Sequence, residues 1–186
     1  MTSLQIQPLE AFTQEELDTL TACYGEETPQ GKFLKETHGV THYQVEGVDN
    51  GPSAKGLVVL AHGIGTSYYA FEEFAQELVN AGYSVLSYDY YGHGYSKYSG
   101  DMFVDYDKDL FVDQLQDLLG FVEKETGEIC VAMVGHSTGG IVCTAANERW
   151  GKGGDNLQRK VIPKLILAAP AFYAKKVSLN FVSSSC

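Results

Sequence analysis

The spacing of apolar and polar residues changes several times along the chain, and each change marks an element. Gly56 to Ala61 is a continuous apolar run, the pattern of a parallel strand buried on both faces. Tyr83 to Tyr88 and Ile129 to Val134 repeat that pattern, and Leu165 to Ala169, stopped by Pro170, supplies a fourth run. Between the strands the period lengthens. Phe71, Phe74, Ala75, Leu78 and Val79 recur at helical spacing and Gly82 ends that helix. Phe111, Leu115, Leu118, Leu119 and Val122 form the apolar face of a second helix, from about Asp105 to Glu123. A small-residue stretch from Gly140 to Trp150 suits a third. Strand and helix alternate over residues 56–170, which predicts a right-handed, predominantly parallel α/β sheet with helices on both faces.

Residues 1–52 read as a separate acidic segment. Phe12 to Leu20 has the pattern of a short helix, with Thr13 as its cap and Glu15 and Glu16 in its first turn. Thr28-Pro29-Gln30-Gly31 interrupts it. From Lys32 to Glu46, β-branched and aromatic residues around Gly39 predict a hairpin, and Val48-Asp49-Asn50-Gly51-Pro52 is a turn. His38 and His42 are expected to face solvent on that hairpin.

Composition narrows the partners. The 186 residues carry a net charge of −11 with 44% apolar residues, which fits a folded domain and disfavours nucleic acid or anionic membrane as a general partner. No apolar run approaches the ~20 residues of a bilayer span, and Met1 to Phe12 lacks the basic and apolar regions of a signal peptide. Cys23, Cys130, Cys143 and Cys186 show no metal or C-x-x-C spacing, and Cys130 and Cys143 read as buried core. A reducing, cytoplasmic setting is expected. Asp105, Asp109, Asp113 and Asp117 form an i, i+4 stripe. Spread over ~18 Å of one helix, they read as a solvated face rather than a metal site.

The chemistry is concentrated where the third apolar run meets Gly135-His136-Ser137-Thr138-Gly139-Gly140. A G-x-S-x-G pentapeptide alone can be mere tight packing. Between a strand and a helix it places a serine on a sharp turn, beside the free N–H groups and positive dipole end of the helix. That geometry favours attack on a carbonyl. A dinucleotide site after the first strand is disfavoured, because the third glycine of that fingerprint would fall at Tyr68.

Two further motifs follow strands: His62-Gly63-Ile64-Gly65, and Asp89-Tyr90-Tyr91-Gly92-His93-Gly94-Tyr95-Ser96. Together with the serine motif, and in this order, they resemble the α/β-hydrolase fold family. They are most similar to its serine aminopeptidase and monoacylglycerol-lipase-like branch, over roughly residues 55–170. The resemblance implies that residues 53–186 are the N-terminal part of an α/β-hydrolase domain. It further implies Ser137 as nucleophile and the backbone N–H groups of Ile64 and Thr138 as the oxyanion hole. Gly63, Gly65, Gly135 and Gly139 would shape these loops, and His62, Asp89 and His136 would support them, as would His93 in its turn. The implied substrate is a small-molecule carboxylic ester, possibly a lipid monoester. No metal or organic cofactor is implied. The rings of Tyr68, Tyr69, Phe71, Tyr90 and Tyr91 could line an acyl site, or simply pack the ends of the sheet.

The family's order of serine, acid, histidine is incomplete. No histidine follows Ser137, and the only later acids, Glu148 and Asp155, precede the fourth strand. The expectation is a fragment or truncated form of an active serine hydrolase. A non-catalytic binding or regulatory short form is the alternative, and complementation by another chain a third. Loss of the histidine costs about a million-fold in kcat where single triad members have been deleted, so the isolated chain is expected to be inactive. Oligomeric state is not readable from these features.

Overall fold

The computed structural model describes residues 5–7, 30–48, 53, 55–101, 107–151 and 163–170. The expected helix at Phe12–Leu20, together with Cys23, Asp105, Asp155 and Cys186, lies outside them. In chain order the strands are β1 (Gln5–Gln7), β2 (Lys32–Lys35), β3 (Gly39–Glu46), β4 (Leu57–Ala61), β5 (Ser84–Tyr88), β6 (Lys97–Tyr98), β7 (Cys130–His136) and β8 (Lys164–Ala168). The helices are α1 (Glu72–Asn80), entered through a 3-10 turn at Tyr68–Phe71, α2 (Lys108–Thr126) and α3 (Thr138–Gly151).

All eight strands form one sheet in the order β1-β2-β3-β5-β4-β7-β8, with β6 paired to β3. The four apolar runs are its parallel half, β5-β4-β7-β8. The hairpin turns before Gly39, which is already the first residue of β3, and β3 pairs antiparallel with β5 from Tyr43↔Tyr88 to Glu46↔Val85. Hairpin and parallel strands therefore share one sheet.

Pleating sends alternate residues to opposite faces, and β4 is buried on both. Leu57, Val59 and Ala61 join Leu86 and Met133 against Phe111, Leu115, Leu118 and Leu119 of α2 and Val142 and Trp150 of α3. Val58 and Leu60 join Val85 and Val134 against Ala75 of α1. Two positions depart from the pattern. Phe74 keeps helical spacing but is 43% exposed, because only Ala75 of α1 is fully buried. The fourth run forms β8 at the end of the sheet, and there it is largely exposed.

Helix α2 is shifted from its expected bounds by its caps. Asp107 accepts a hydrogen bond from the Asp109 N–H at 2.8 Å, and Gly127 closes the other end at φ 74°. Its aspartates are not simply a solvated face. Arg149 of α3 donates to Asp109 at 3.2 Å and also to Asp113, while Asp117 accepts from the Thr37 hydroxyl at 2.7 Å. The stripe thus fastens α3 and the hairpin turn to α2. Among the described residues no cluster of three or more His, Cys, Asp or Glu side chains could hold a metal.

Candidate functional site

Strands β5, β4 and β7 are adjacent and parallel, so the three motif loops leave the sheet at the same end. In open α/β sheets that carboxyl end is where ligands bind.

Ser137 lies between β7 and α3 with φ 51°, a left-handed conformation unusual for a residue with a side chain. The turn is held by the Ser137 N–H donating to Ala168 O at 3.1 Å and the Gly140 N–H donating to Ser137 O at 3.0 Å. Its glycines are imposed by close approach. A Cβ on Gly139 would stand 2.0 Å from Ala61 O, and one on Gly135 would stand 2.5 Å from Gly139 O. The helix can therefore start immediately against β4 and β7 only with bare backbone at these positions.

The loop after β4 abuts this turn. A Cβ built on Gly63 would lie 3.2 Å from Ser137 Cβ and 3.0 Å from His136 Nδ1. Ile64 is half-buried and Gly65 exposed, while Thr138 is half-buried as the first residue of α3. The N–H groups of Ile64 and Thr138 have no acceptor among the described residues. Two free donors thus flank a serine that the backbone holds in a strained turn.

Of the histidines, His62 is fully buried and both of its nitrogens are engaged. Nε2 accepts from the Tyr90 N–H at 3.1 Å, so Nδ1 carries the proton and donates to Gly63 O at 2.6 Å. Burial pushes its pKa down to about 4. His93 is half-buried, 3.2 Å from Tyr91 O, and burial lowers its pKa also. His136 is exposed. His38 lies on the surface, 3.7 Å from Asp113. Among the described residues none of these rings hydrogen-bonds the Ser137 hydroxyl.

His42 contradicts its expected exposure. It is fully buried, with Nδ1 2.9 Å from Asp89 Oδ2 and Nε2 2.6 Å from Gln30 O. Asp89, also fully buried, accepts from the Tyr68 N–H at 2.8 Å and the Tyr95 N–H at 3.0 Å. Gly94 passes so close that a Cβ there would stand 2.2 Å from the Asp89 carboxyl carbon. The sequence signals only that an aspartate at the end of a buried strand needs buried donors, not that His42 supplies one.

The aromatic rings divide. Tyr90 and Tyr91 are 1% and 0% exposed and pack in the core. Tyr68 and Tyr69 instead border a cleft of about 630 Å³ with Gln44, Glu46, Glu72 and Ser87. Glu73 and Glu77 also line it, so acidic residues stand beside the two tyrosine rings. Burial, and the charge of Glu72, raise the pKa of Glu46 there. Ile64, Ser137 and Thr138 are not among its lining residues.

Comparison with known proteins identifies the family and the fold. The family model described as serine aminopeptidase, S33, matches residues 52–184. Monoglyceride lipase of Rattus norvegicus is 35% identical over 96 residues, which make up 51% of this chain and 31% of that protein. A thioesterase domain from the curacin biosynthetic pathway superposes with a TM-score of 0.59 at 28% identity, covering 81% of this chain and 50% of that one. An esterase from Exiguobacterium antarcticum superposes at 0.56 and 21% identity, covering 76% and 46%, a likeness of fold alone. The chain spans about a third of the rat lipase and about half of these solved structures.

Proposed function

The chain belongs to the serine aminopeptidase S33 family of α/β-hydrolases, and from that premise we propose that it carries the nucleophile half of a serine ester hydrolase of the monoglyceride-lipase type. Ser137 Oγ attacks the ester carbonyl and forms an acyl-enzyme, the alcohol leaves, and water releases the acid. The carbonyl oxygen, as it gains negative charge, is held by the N–H groups of Ile64 and Thr138, each such donor contributing about 3–4 kcal/mol to the transition state. The observation that supports this reading is the approach of Gly63 to Ser137, where a Cβ built on the glycine would lie 3.2 Å from the serine Cβ. The resemblance to rat monoglyceride lipase favours a lipid monoester as substrate.

The attack requires a base for the serine proton. All five histidines precede Ser137 in the sequence, and His62, His42 and His93 are committed to other partners. The 186-residue chain alone is therefore expected to be inactive toward esters. The decisive experiment reads the transcript past the codon for Cys186 and assays its longest product with a p-nitrophenyl ester and a monoacylglycerol. Turnover that Ser137→Ala lowers by about a million-fold supports the proposal, and turnover that survives the substitution overturns it. A transcript that stops after Cys186, with no turnover, favours a non-catalytic binding form instead.

A further inference from the structure

His42 lies in the hairpin, outside the 52–184 region matched by the family model, yet its ring reaches the loops of the candidate site. Both ring nitrogens face acceptors, the Asp89 carboxyl and the Gln30 carbonyl. Each nitrogen is thus committed to a partner. The Asp89 carboxylate also accepts from two backbone N–H groups, those of Tyr68 and Tyr95. The rings of Phe33, Tyr68 and Tyr95 stand 5.2, 4.8 and 5.2 Å from His42 and exclude water from the pair.

We propose that His42 is a positioning residue: buried and hydrogen-bonded to Asp89, it fixes the loop that presents the Ile64 N–H. The loop is gripped at both ends. Asp89 Oδ1 holds the Tyr68 N–H downstream of Ile64. The next residue, Tyr90, donates to His62 Nε2, and His62 Nδ1–H holds Gly63 O immediately upstream. The main chain of His42 adds two ties, accepting from the Asp89 N–H at 3.0 Å and donating to Ser96 Oγ at 2.9 Å. The titratable groups around the pair are Asp89, Tyr68 and Tyr95, with His62 and His93 within reach of the Asp89 charge. Removal of the ring at position 42 takes one of the partners from the buried Asp89 carboxylate, and the loop loses a fixed anchor.

The inference rests on reading Ile64 as an oxyanion donor only for its consequence; its test needs no turnover, so the two fail separately. In His42→Gln, amide exchange at Tyr68 and Tyr95, whose N–H groups Asp89 holds, is expected to accelerate by about ten- to a hundredfold, the loss of one charge-assisted hydrogen bond, while Met133 and Val134 in β7 stay protected. In the intact chain the His42 Nδ1 proton is expected to lie downfield in ¹⁵N-edited NMR and to return upfield in Asp89→Asn. Exchange at Tyr68 and Tyr95 that is unchanged, or that rises only in step with β7, overturns the proposal, as does an Nδ1 proton in the ordinary imidazole range. If the variants do not fold, the position of that proton in the unmodified chain decides alone.

Discussion

At the scale of single residues, the turn at Ser137 depends on atoms that are absent. Gly139 passes Ala61 at a distance where a methyl group would overlap the carbonyl oxygen, at 2.0 Å, and the atoms it would meet are all backbone, of Ala61 and His62. Overpacking a core typically costs about 1–3 kcal/mol, and rigid backbone contacts put this site at the upper end. Gly139→Ala is therefore expected to destabilise the chain by about 3 kcal/mol or more, measured from urea unfolding midpoints. A loss under about 0.5 kcal/mol, within the range of an ordinary surface substitution, would mean that the helix shifts freely against β4. The strained φ of Ser137 gives the same picture from the other side, since such conformations persist only where their surroundings over-determine them.

Within elements, the hairpin carries a buried carboxyl whose titration couples its stability to pH. Glu36 begins its turn, and the Glu36 N–H donates to Gly39 O at 2.8 Å. The side chain is buried, accepting at Oε2 from Thr41 and from the Tyr91 hydroxyl at 2.8 Å, while Oε1 has no partner. Burial pushes its pKa from 4.5 up to about 8. The folded chain then binds more protons here than the unfolded chain, so this contribution is complete below pH 4.5 and is lost as pH rises to about 8. His62 acts in the opposite sense. With its pKa lowered from 6.5 to about 4, its contribution is complete above pH 6.5 and is lost as pH falls to about 4. The two slopes oppose each other between pH 4.5 and 6.5, leaving Glu36 to dominate above. Thermal unfolding is expected to show stability falling between pH 6.5 and 8, and Glu36→Gln is expected to flatten that fall. An unchanged slope in the variant would assign it to another group.

The same hairpin marks where reading the sequence stops. Apolar period sufficed for β4, β5 and β7, because a strand buried on both faces needs an unbroken apolar run and little else. The serine turn was equally readable, since its glycines and its place between strand and helix are local. Glu36 and His42 were not. Their burial follows from the pairing of β3 with β5 and from the approach of the Asp89 loop, contacts made across 47 positions for His42 and Asp89. No local pattern distinguishes a histidine with a distant carboxylate from one in water. The aspartates of α2 are exposed as read, but their pairing with Arg149 was not legible for the same reason, because Arg149 is 36 positions from Asp113.

For the molecule as a whole, the unbalanced feature is the far end of the sheet. Neighbouring side chains of a strand point to opposite faces, yet Ile166 is 52% exposed and Leu167 43%. Apolar side chains are therefore exposed on both faces of β8, although Leu165 packs against the core, and Ile129 adds another, at 55%. An apolar terminal strand offers its free edge and its faces to a second chain. A net charge of −11 resists that contact. The repulsion is long-ranged only at low ionic strength, since the screening length falls from about 30 Å at 0.01 M salt to about 8 Å at 0.15 M. Burial of apolar surface is not weakened in the same way. Salt therefore shifts the balance toward association, and the chain is expected to sediment as a monomer at 0.01 M salt and to self-associate with concentration at about 0.15 M. Ile166→Lys places a charge on the exposed strand without removing a buried group, so it is expected to suppress association and leave the melting temperature nearly unchanged. Monomeric behaviour at both salt concentrations would show that β8 is covered in solution, and association that persists in the variant would move the contact to another face.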